Sequence, residues 1–175
     1  IKMLLPERMG DVRARALFEQ EYRTLAAIDH PNIVTVLDQG ETPDGGLWIA
    51  TEYIPGVTVD AYVNKLDSDA LDDGTDGDGR FPLRRVLDVF TASCDAVEAA
   101  HRVGVIHRDI KPSNVLVDED GVPHVLDFGI AKTADVASPD LVTLTGQFKG
   151  TPIWSSPEQV GGRPEQIDVR TDVYS

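Results

Sequence analysis

Between about Asp11 and Asp29, apolar residues at Ala14, Leu17, Phe18, Leu25 and Ile28 recur at threes and fours, leaving Arg13, Glu19, Gln20 and Arg23 for other faces. That spacing predicts one amphipathic helix. His30-Pro31-Asn32 stops it, because the residue before a proline is pushed out of the α region. Two runs rich in β-branched and aromatic residues, 33–37 and 47–52, are separated by Gly40, Pro43 and Gly45-Gly46 and read as an antiparallel strand pair. Pro55-Gly56 then breaks the chain and marks a candidate boundary between residues 1–54 and 55–175. Pro82 opens a second long helix, about 22 residues by its pattern, in which Leu83, Val86, Leu87, Phe90, Cys94, Val97 and His101 form a stripe and Gly104 lies just past the end. Cys94 lies on that stripe and reads as a packed core thiol rather than a nucleophile. Short strands are expected around residues 115–117 and 124–126, joined by the turn Asp118-Glu119-Asp120-Gly121. There is no internal repeat.

Charge narrows the range of partners. The 175 residues carry 16 Lys+Arg against 30 Asp+Glu, a net charge of −14, with 41% hydrophobic residues. This suits a soluble globular domain or a large piece of one. It argues against a nucleic-acid or anionic-membrane binder, both of which need a basic face. Phosphate chemistry survives, since it needs only local cations. One cysteine excludes an intramolecular disulfide and a multi-Cys zinc site, and fits a reducing compartment such as the cytoplasm. No apolar run approaches the length of a membrane span. The N-terminus has neither a signal design nor an initiator Met, and both ends look cut. Residues 67–79, with six aspartates, read as a solvated acidic loop. A calcium loop fails there: with Gly77 in the sixth position, Gly74 replaces a ligand and Leu83 stands where the bidentate Glu belongs.

The candidate chemistry lies in His107-Arg108-Asp109-Ile110-Lys111-Pro112-Ser113-Asn114, between the long helix and the hairpin. Asp127-Phe128-Gly129 ends that hairpin, so the two segments should lie side by side. Together they offer a carboxylate to orient a hydroxyl, an ammonium to offset phosphate charge, and an amide with a second carboxylate for a divalent cation. Magnesium suits that set, being a hard ion held by few protein oxygens and completed by nucleotide phosphates.

These motifs resemble those of the eukaryotic-type (Hanks-type) serine/threonine protein kinases, and S-P-E-Q-V makes the bacterial members the most similar. Five fixed residues in H-R-D-x-K-x-x-N would arise by chance at a given start about once in three million. The resemblance implies a two-lobed α+β fold, with residues 1–54 as a partial N-lobe and 55–175 as a partial C-lobe. It implies transfer of the ATP γ-phosphoryl to Ser or Thr hydroxyls of proteins, with Mg2+ and, as an alternative, Mn2+. Asp109, Lys111 and Asn114 would be catalytic, and Asn114 and Asp127 would hold the metal. Lys2 would hold the nucleotide's phosphates and pair with Glu21. Thr51 falls at the gatekeeper, the backbones of Glu52 and Ile54 at the adenine-binding hinge, and Leu116 beneath the adenine ring. Leu25, Val36, His107 and Phe128 would stack as a spine between the lobes. Thr143 and Thr145 are the expected autophosphorylation sites, with Arg108 as the phosphate's partner. Thr151 and Glu158 belong to the substrate segment, where Gly150-Thr151-Pro152 and Ser156-Pro157-Glu158 match the family pattern with Ser in place of Ala. Thr151 and Lys111 both favour hydroxyl substrates on Ser or Thr.

No G-x-G-x-x-G occurs, the chain begins at the lysine strand, and it ends at a segment resembling the first turn of the family's large central helix. It thus corresponds to about two thirds of such a domain. The piece alone is expected to expose apolar surface, to be poorly stable or aggregation-prone, and to be inactive. A non-catalytic pseudokinase or a truncated binding module is the alternative reading, and a small-molecule kinase a third. Activation by a homodimer, and a membrane anchor elsewhere in the parent protein, remain open to it.

Overall fold

The computed structural model describes residues 1–4, 10–72, 82–128 and 152–175, with the backbone alone for Glu21, 69–72 and Pro152. Two three-stranded antiparallel sheets and a set of helices make an α+β fold. The first sheet has the order β1-β3-β2, from β1 (Lys2–Met3), β2 (Val36–Glu41) and β3 (Leu47–Thr51). Helix α1 (Val12–Ala26) packs on it. The Asp11 carboxylate caps that helix by accepting from Arg13 N at 2.9 Å and Ala14 N at 3.2 Å, which satisfies two of the unpaired amides of the first turn. Phe18 of α1 is buried against Leu47 and Ile49 of β3.

The second sheet has the order β4-β5-β6, from β4 (Gly56–Thr58), β5 (Val115–Asp118) and β6 (Pro123–Val125). Gly56 lies across from Asp118, and a Cβ on it would come within 2.5 Å of the Val117 carbonyl oxygen, so the strand can approach only without a side chain. The β5–β6 turn is closed by the Asp118 carboxylate, which accepts from Asp120 N and Val122 N, with Gly121 at φ +80°. Helices α2 (Val59–Asp72) and α3 (Leu83–Arg102) complete this half. Short helices α4 (Pro157–Val160) and α5 (Val169–Tyr174) follow. A second core cluster joins Leu25 of α1, Ile33, Ala96 and Ala100 of α3, Val125 of β6 and Phe128.

Three expectations need correction. The β-branched run at 33–37 is split: Ile33 bridges Val125, Val34 N donates to the Val125 carbonyl at 3.1 Å, and the strand itself begins at Val36. Ile33 is buried in the second core, and Val34 is buried with its N–H bound to β6, so both are held beside β6 rather than in the first sheet. Residues 67–72 of the expected acidic loop belong to α2, whose inward turn is anchored by buried Leu66, so an apolar anchor upstream carries the helix into the acidic run. Residues 73–79 lie outside the described residues. Finally, Cys94 is exposed, because α3 buries Val89, Ala96 and Ala100 on a different face. The face bearing Phe90, Cys94 and Val97 lines an open groove of about 570 Å³, which Trp154 and Val173 also border. Partial burial, and then Asp95, push the Cys94 thiol up, which keeps it protonated and a poor nucleophile. Leu83, Leu87 and Phe90 of the same predicted stripe are exposed as well.

Candidate active site

The loop after α3 is fixed by one buried carboxylate. Asp172, at the start of α5, accepts from His107 N at 2.7 Å and from Arg108 N at 2.7 Å, and its Oδ2 lies 2.8 Å from His101 Nε2. These bonds hold Arg108 at φ +66°, a left-handed conformation that a non-glycine residue adopts only under outside constraint. His107 is fully buried. Its Nε2 lies 2.8 Å from the Leu126 carbonyl, which can only accept, and its Nδ1 takes the Asp109 N–H at 3.2 Å. The imidazole is therefore the neutral Nε2–H form, and burial pushes its pKa down despite the opposing pull of Asp172, Asp109 and Asp127.

The turn that follows gathers three side chains. Lys111 Nζ lies 2.9 Å from Asp109 Oδ2. A 3-10 turn over Pro112–Asn114 swings Asn114 back, so that its Nδ2 donates to the Asp109 carbonyl at 2.8 Å and to Asp109 Oδ2 at 3.1 Å. The Asn114 carbonyl accepts Leu126 N at 2.8 Å, tying this turn to the chain just before Asp127. Asp127 sits at φ +46°, the second non-glycine residue in a left-handed conformation. Its Oδ1 is 3.4 Å from Lys2 Nζ, and both side chains are substantially exposed, 62% and 41%. The structure thus brings together Asp109, Lys111 and Asn114 at one point, and Lys2 and Asp127 at another.

The donor set fits a hard divalent cation. Asn114 spends its amide hydrogens on Asp109, which leaves its side-chain oxygen as the group it can offer, and Asp127 presents an accessible carboxylate. Among the described residues no three His, Cys, Asp or Glu side chains converge on a point. A site of this kind relies on oxygens brought by the ligand.

The remaining predicted residues are placed as follows. Thr51 ends β3 opposite Val36. Glu52 N donates to the Thr35 carbonyl at 2.9 Å and its Oε1 accepts Thr35 N at 2.6 Å, so the backbone group Glu52 can present to a ligand is its carbonyl. Ile54 is buried beside an exposed Tyr53. Leu116 pairs with Thr58 on one side and His124 on the other. His107 and Phe128 stack with ring centroids 4.6 Å apart, and Leu25 and Val36 pack in the same cluster as Phe128, as the expected spine requires. Glu21 lies on α1. Glu158 accepts from the Thr171 hydroxyl, the first of the bonds that hold its carboxyl below the usual range. Thr143, Thr145, Thr151 and Gly129 lie outside the described residues. Arg108 is half-buried, burial pulls its pKa down, and its Nε has no hydrogen-bond partner among the described residues.

Two residues that hold this loop escaped sequence reasoning, Asp172 and Gln159. The Gln159 amide donates to the Arg108 carbonyl at 2.7 Å. Neither stands within the loop it organises, and the sequence marks Asp172 only as a first-turn residue of a helix.

The family model for the protein kinase domain matches residues 1–175. Serine/threonine-protein kinase PknB of Mycolicibacterium smegmatis is 37% identical over 179 residues, covering all of this chain and 26% of that protein. A serine/threonine-protein kinase of Myxococcus xanthus is 36% identical over 182 residues, covering all of this chain and 30% of its own length. The chain therefore spans under a third of these relatives. The crystal structure of the Mycobacterium tuberculosis PknI kinase domain matches with a TM-score of 0.62 and 29% identity, covering 98% of this chain and 57% of that one.

Proposed function

The chain belongs to the protein kinase domain family, among its bacterial Hanks-type serine/threonine members, and we propose that its protein transfers the ATP γ-phosphoryl to Ser or Thr hydroxyls of other proteins. The convergence of Lys111 and Asn114 on the Asp109 carboxylate carries this reading. Asp109 orients the attacking hydroxyl and accepts its proton. Lys111, 2.9 Å away, is placed to offset charge on the moving phosphoryl without leaving the carboxylate's side. Lys2, aligned by Glu21, takes the nucleotide's α- and β-phosphates. Thr51, the backbone of Glu52 and Ile54, and Leu116 frame the adenine. Magnesium, or manganese in its place, would be held by Asn114 and Asp127 and would neutralise charge at the phosphate oxygens.

Residues 1–54 and 55–175 are the parts of the two lobes, with the nucleotide between them. Regulation is read from Arg108: a half-buried guanidinium whose Nε lacks a partner among the described residues suits a phosphate on Thr143 or Thr145. Thr151 would hold the substrate segment against Asp109 and Lys111, with Glu158 bracing its far end. Homodimerisation for activation fits the same scheme. The net charge of −14 favours a cytoplasmic domain that contacts neither membrane nor nucleic acid; among the described residues no helix is long and apolar enough to cross a membrane. The relatives are named as serine/threonine kinases, which favours the enzyme over a binding module.

The test is phosphate transfer from labelled ATP and magnesium by the full-length protein, beside Asp109→Asn. Label on Thr143 or Thr145 is expected, with turnover in the variant reduced by about 10²- to 10⁴-fold. Equal transfer by the variant would refute the role of Asp109. No transfer by the folded wild type would refute the function.

A further inference from the structure

We propose that Gln159 is a positioning residue for Asp109, coupling the 156–160 segment to the catalytic loop through the Arg108–Asp109 peptide. The inference rests on the kinase reading above. That peptide is held at both of its polar atoms. Its oxygen, the Arg108 carbonyl, accepts from Gln159 Nε2 at 2.7 Å, and its N–H, on Asp109, donates to His107 Nδ1 at 3.2 Å. Asp172 holds the preceding N–H, on Arg108. With Arg108 at φ +66°, the orientation of this peptide is not one the chain would choose alone, and a small rotation of it moves the Asp109 carboxylate directly.

Gln159 is itself oriented by its other end. Its Oε1 accepts from Ser156 N at 3.0 Å and lies 3.3 Å from Ser156 Oγ, and Ser156 is fully buried at the start of α4. The two neighbours make opposite demands, a donor on one side and an acceptor on the other. An amide meets both. A carboxylate of the same shape would still cap Ser156 N but would turn a lone pair toward the Arg108 carbonyl. The orientation of the Arg108–Asp109 peptide thus depends on where the 156–160 segment docks, through the Gln159 amide.

The test compares Gln159→Glu and Gln159→Met with the wild type in the full-length protein, measuring kcat, KM for ATP and melting temperature from pH 6 to 8.5. At pH 8, Gln159→Glu is expected to lose about 10- to 100-fold in kcat, the size of effect that a misplacement of about an ångström produces. Its KM for ATP and melting temperature should stay near wild type, because the α4 cap survives. Its kcat relative to wild type should rise as pH falls, since the protonated carboxyl can donate to the Arg108 carbonyl. Gln159→Met should stay low at every pH. Wild-type kcat in Gln159→Glu across the range overturns the proposal. So does a loss that tracks the fall in melting temperature without any pH dependence, the mark of a helix cap alone. If the wild type transfers no phosphate, the functional reading fails by itself. The crystal structure of Gln159→Met then decides the inference, and an unmoved Arg108 carbonyl and Asp109 carboxylate would overturn it.

Discussion

The Asp109 loop and the Lys2–Asp127 contact would serve the same proposed reaction, yet they are built in opposite ways. Around Asp109, the peptides of His107, Arg108 and Asp109 all have their N–H groups bound, by Asp172 and by His107 Nδ1, and Gln159 takes the Arg108 carbonyl. Two side chains then settle on the Asp109 carboxylate within 3.1 Å. The Lys2–Asp127 pair is longer, at 3.4 Å, and both partners are open to solvent. The difference teaches which parts of the site are set in advance. Chemistry that depends on orienting one hydroxyl needs a carboxylate whose position is settled before substrate arrives. Phosphate-holding groups must admit a bulky anionic ligand, and a long, solvated ion pair yields to one at little cost.

The largest effect that separates the two regions should come from Lys2→Met. Turnover should fall by at least about 10²-fold, because the phosphate tail loses its cation. Stability should change by no more than about 0.5 kcal/mol, since an exposed pair contributes little to folding. Phosphate transfer and chemical denaturation of the same preparation check both halves. A variant that loses stability in step with activity would show that the pair is structural and would erase the contrast.

Asp172→Ala probes the other side, and the expected order is reversed. It strips the partner from two backbone amides and from His101, in a buried to part-buried region, and should cost about 2 to 5 kcal/mol of stability. Activity should fall with it, as Arg108 is released from its left-handed conformation. Asp172→Asn keeps the shape and one acceptor oxygen, and should lose less. If denaturant midpoints of Asp172→Ala match wild type, the loop is held by something other than this carboxylate.

The Asp109 loop and the hairpin were legible in the sequence because their residues are close along the chain, and the residue types announce their chemistry. Helices α1 and α3 were legible from period alone, α3 from its proline start to Gly104 and α1 from Asp11 onward, whereas α2, which runs into the aspartate-rich stretch, was not. What stayed hidden depends on contacts across long separations. Asp172 stands 64 residues from Arg108 and Gln159 stands 51 from it, and no local pattern marks either as a neighbour of that loop. Ile33 and Val34 look like strand residues whichever sheet they serve, so only their burial beside β6 assigns them. For Cys94, the residues at threes and fours do share one face of α3, but periodicity does not say which of two apolar faces is covered. The small residues Ala96 and Ala100 take the close contact with Phe128 and leave the larger ones facing the groove.

The smallest effect tests whether the catalytic loop is as closed to protons as its geometry implies. Burial holds the His107 imidazole below its ordinary pKa of 6.5, with Asp172, Asp109 and Asp127 only partly opposing. The unfolded chain keeps the ordinary value. As pH falls below about 6.5, the unfolded state takes a proton that the folded state refuses, so ν_U exceeds ν_N and stability falls. This one group can contribute no more than about 1.4 kcal/mol per pH unit, and its contribution levels off once pH passes the lowered native value. The contribution of this imidazole is therefore fully present above pH 6.5 and is lost on the acid side. His107→Phe, which retains a ring against Phe128, should be less stable at neutral pH because Asp109 N and the Leu126 carbonyl lose their partner. Its stability should nevertheless fall less steeply between pH 6.5 and 5 than that of the wild type, since the variant has no imidazole at 107 whose native form refuses the proton. Parallel slopes would mean that the native imidazole takes up its proton as readily as the unfolded one. Protonation would put a hydrogen on Nδ1, facing the Asp109 N–H, so the bond that settles the catalytic peptide would then fail at mildly acidic pH.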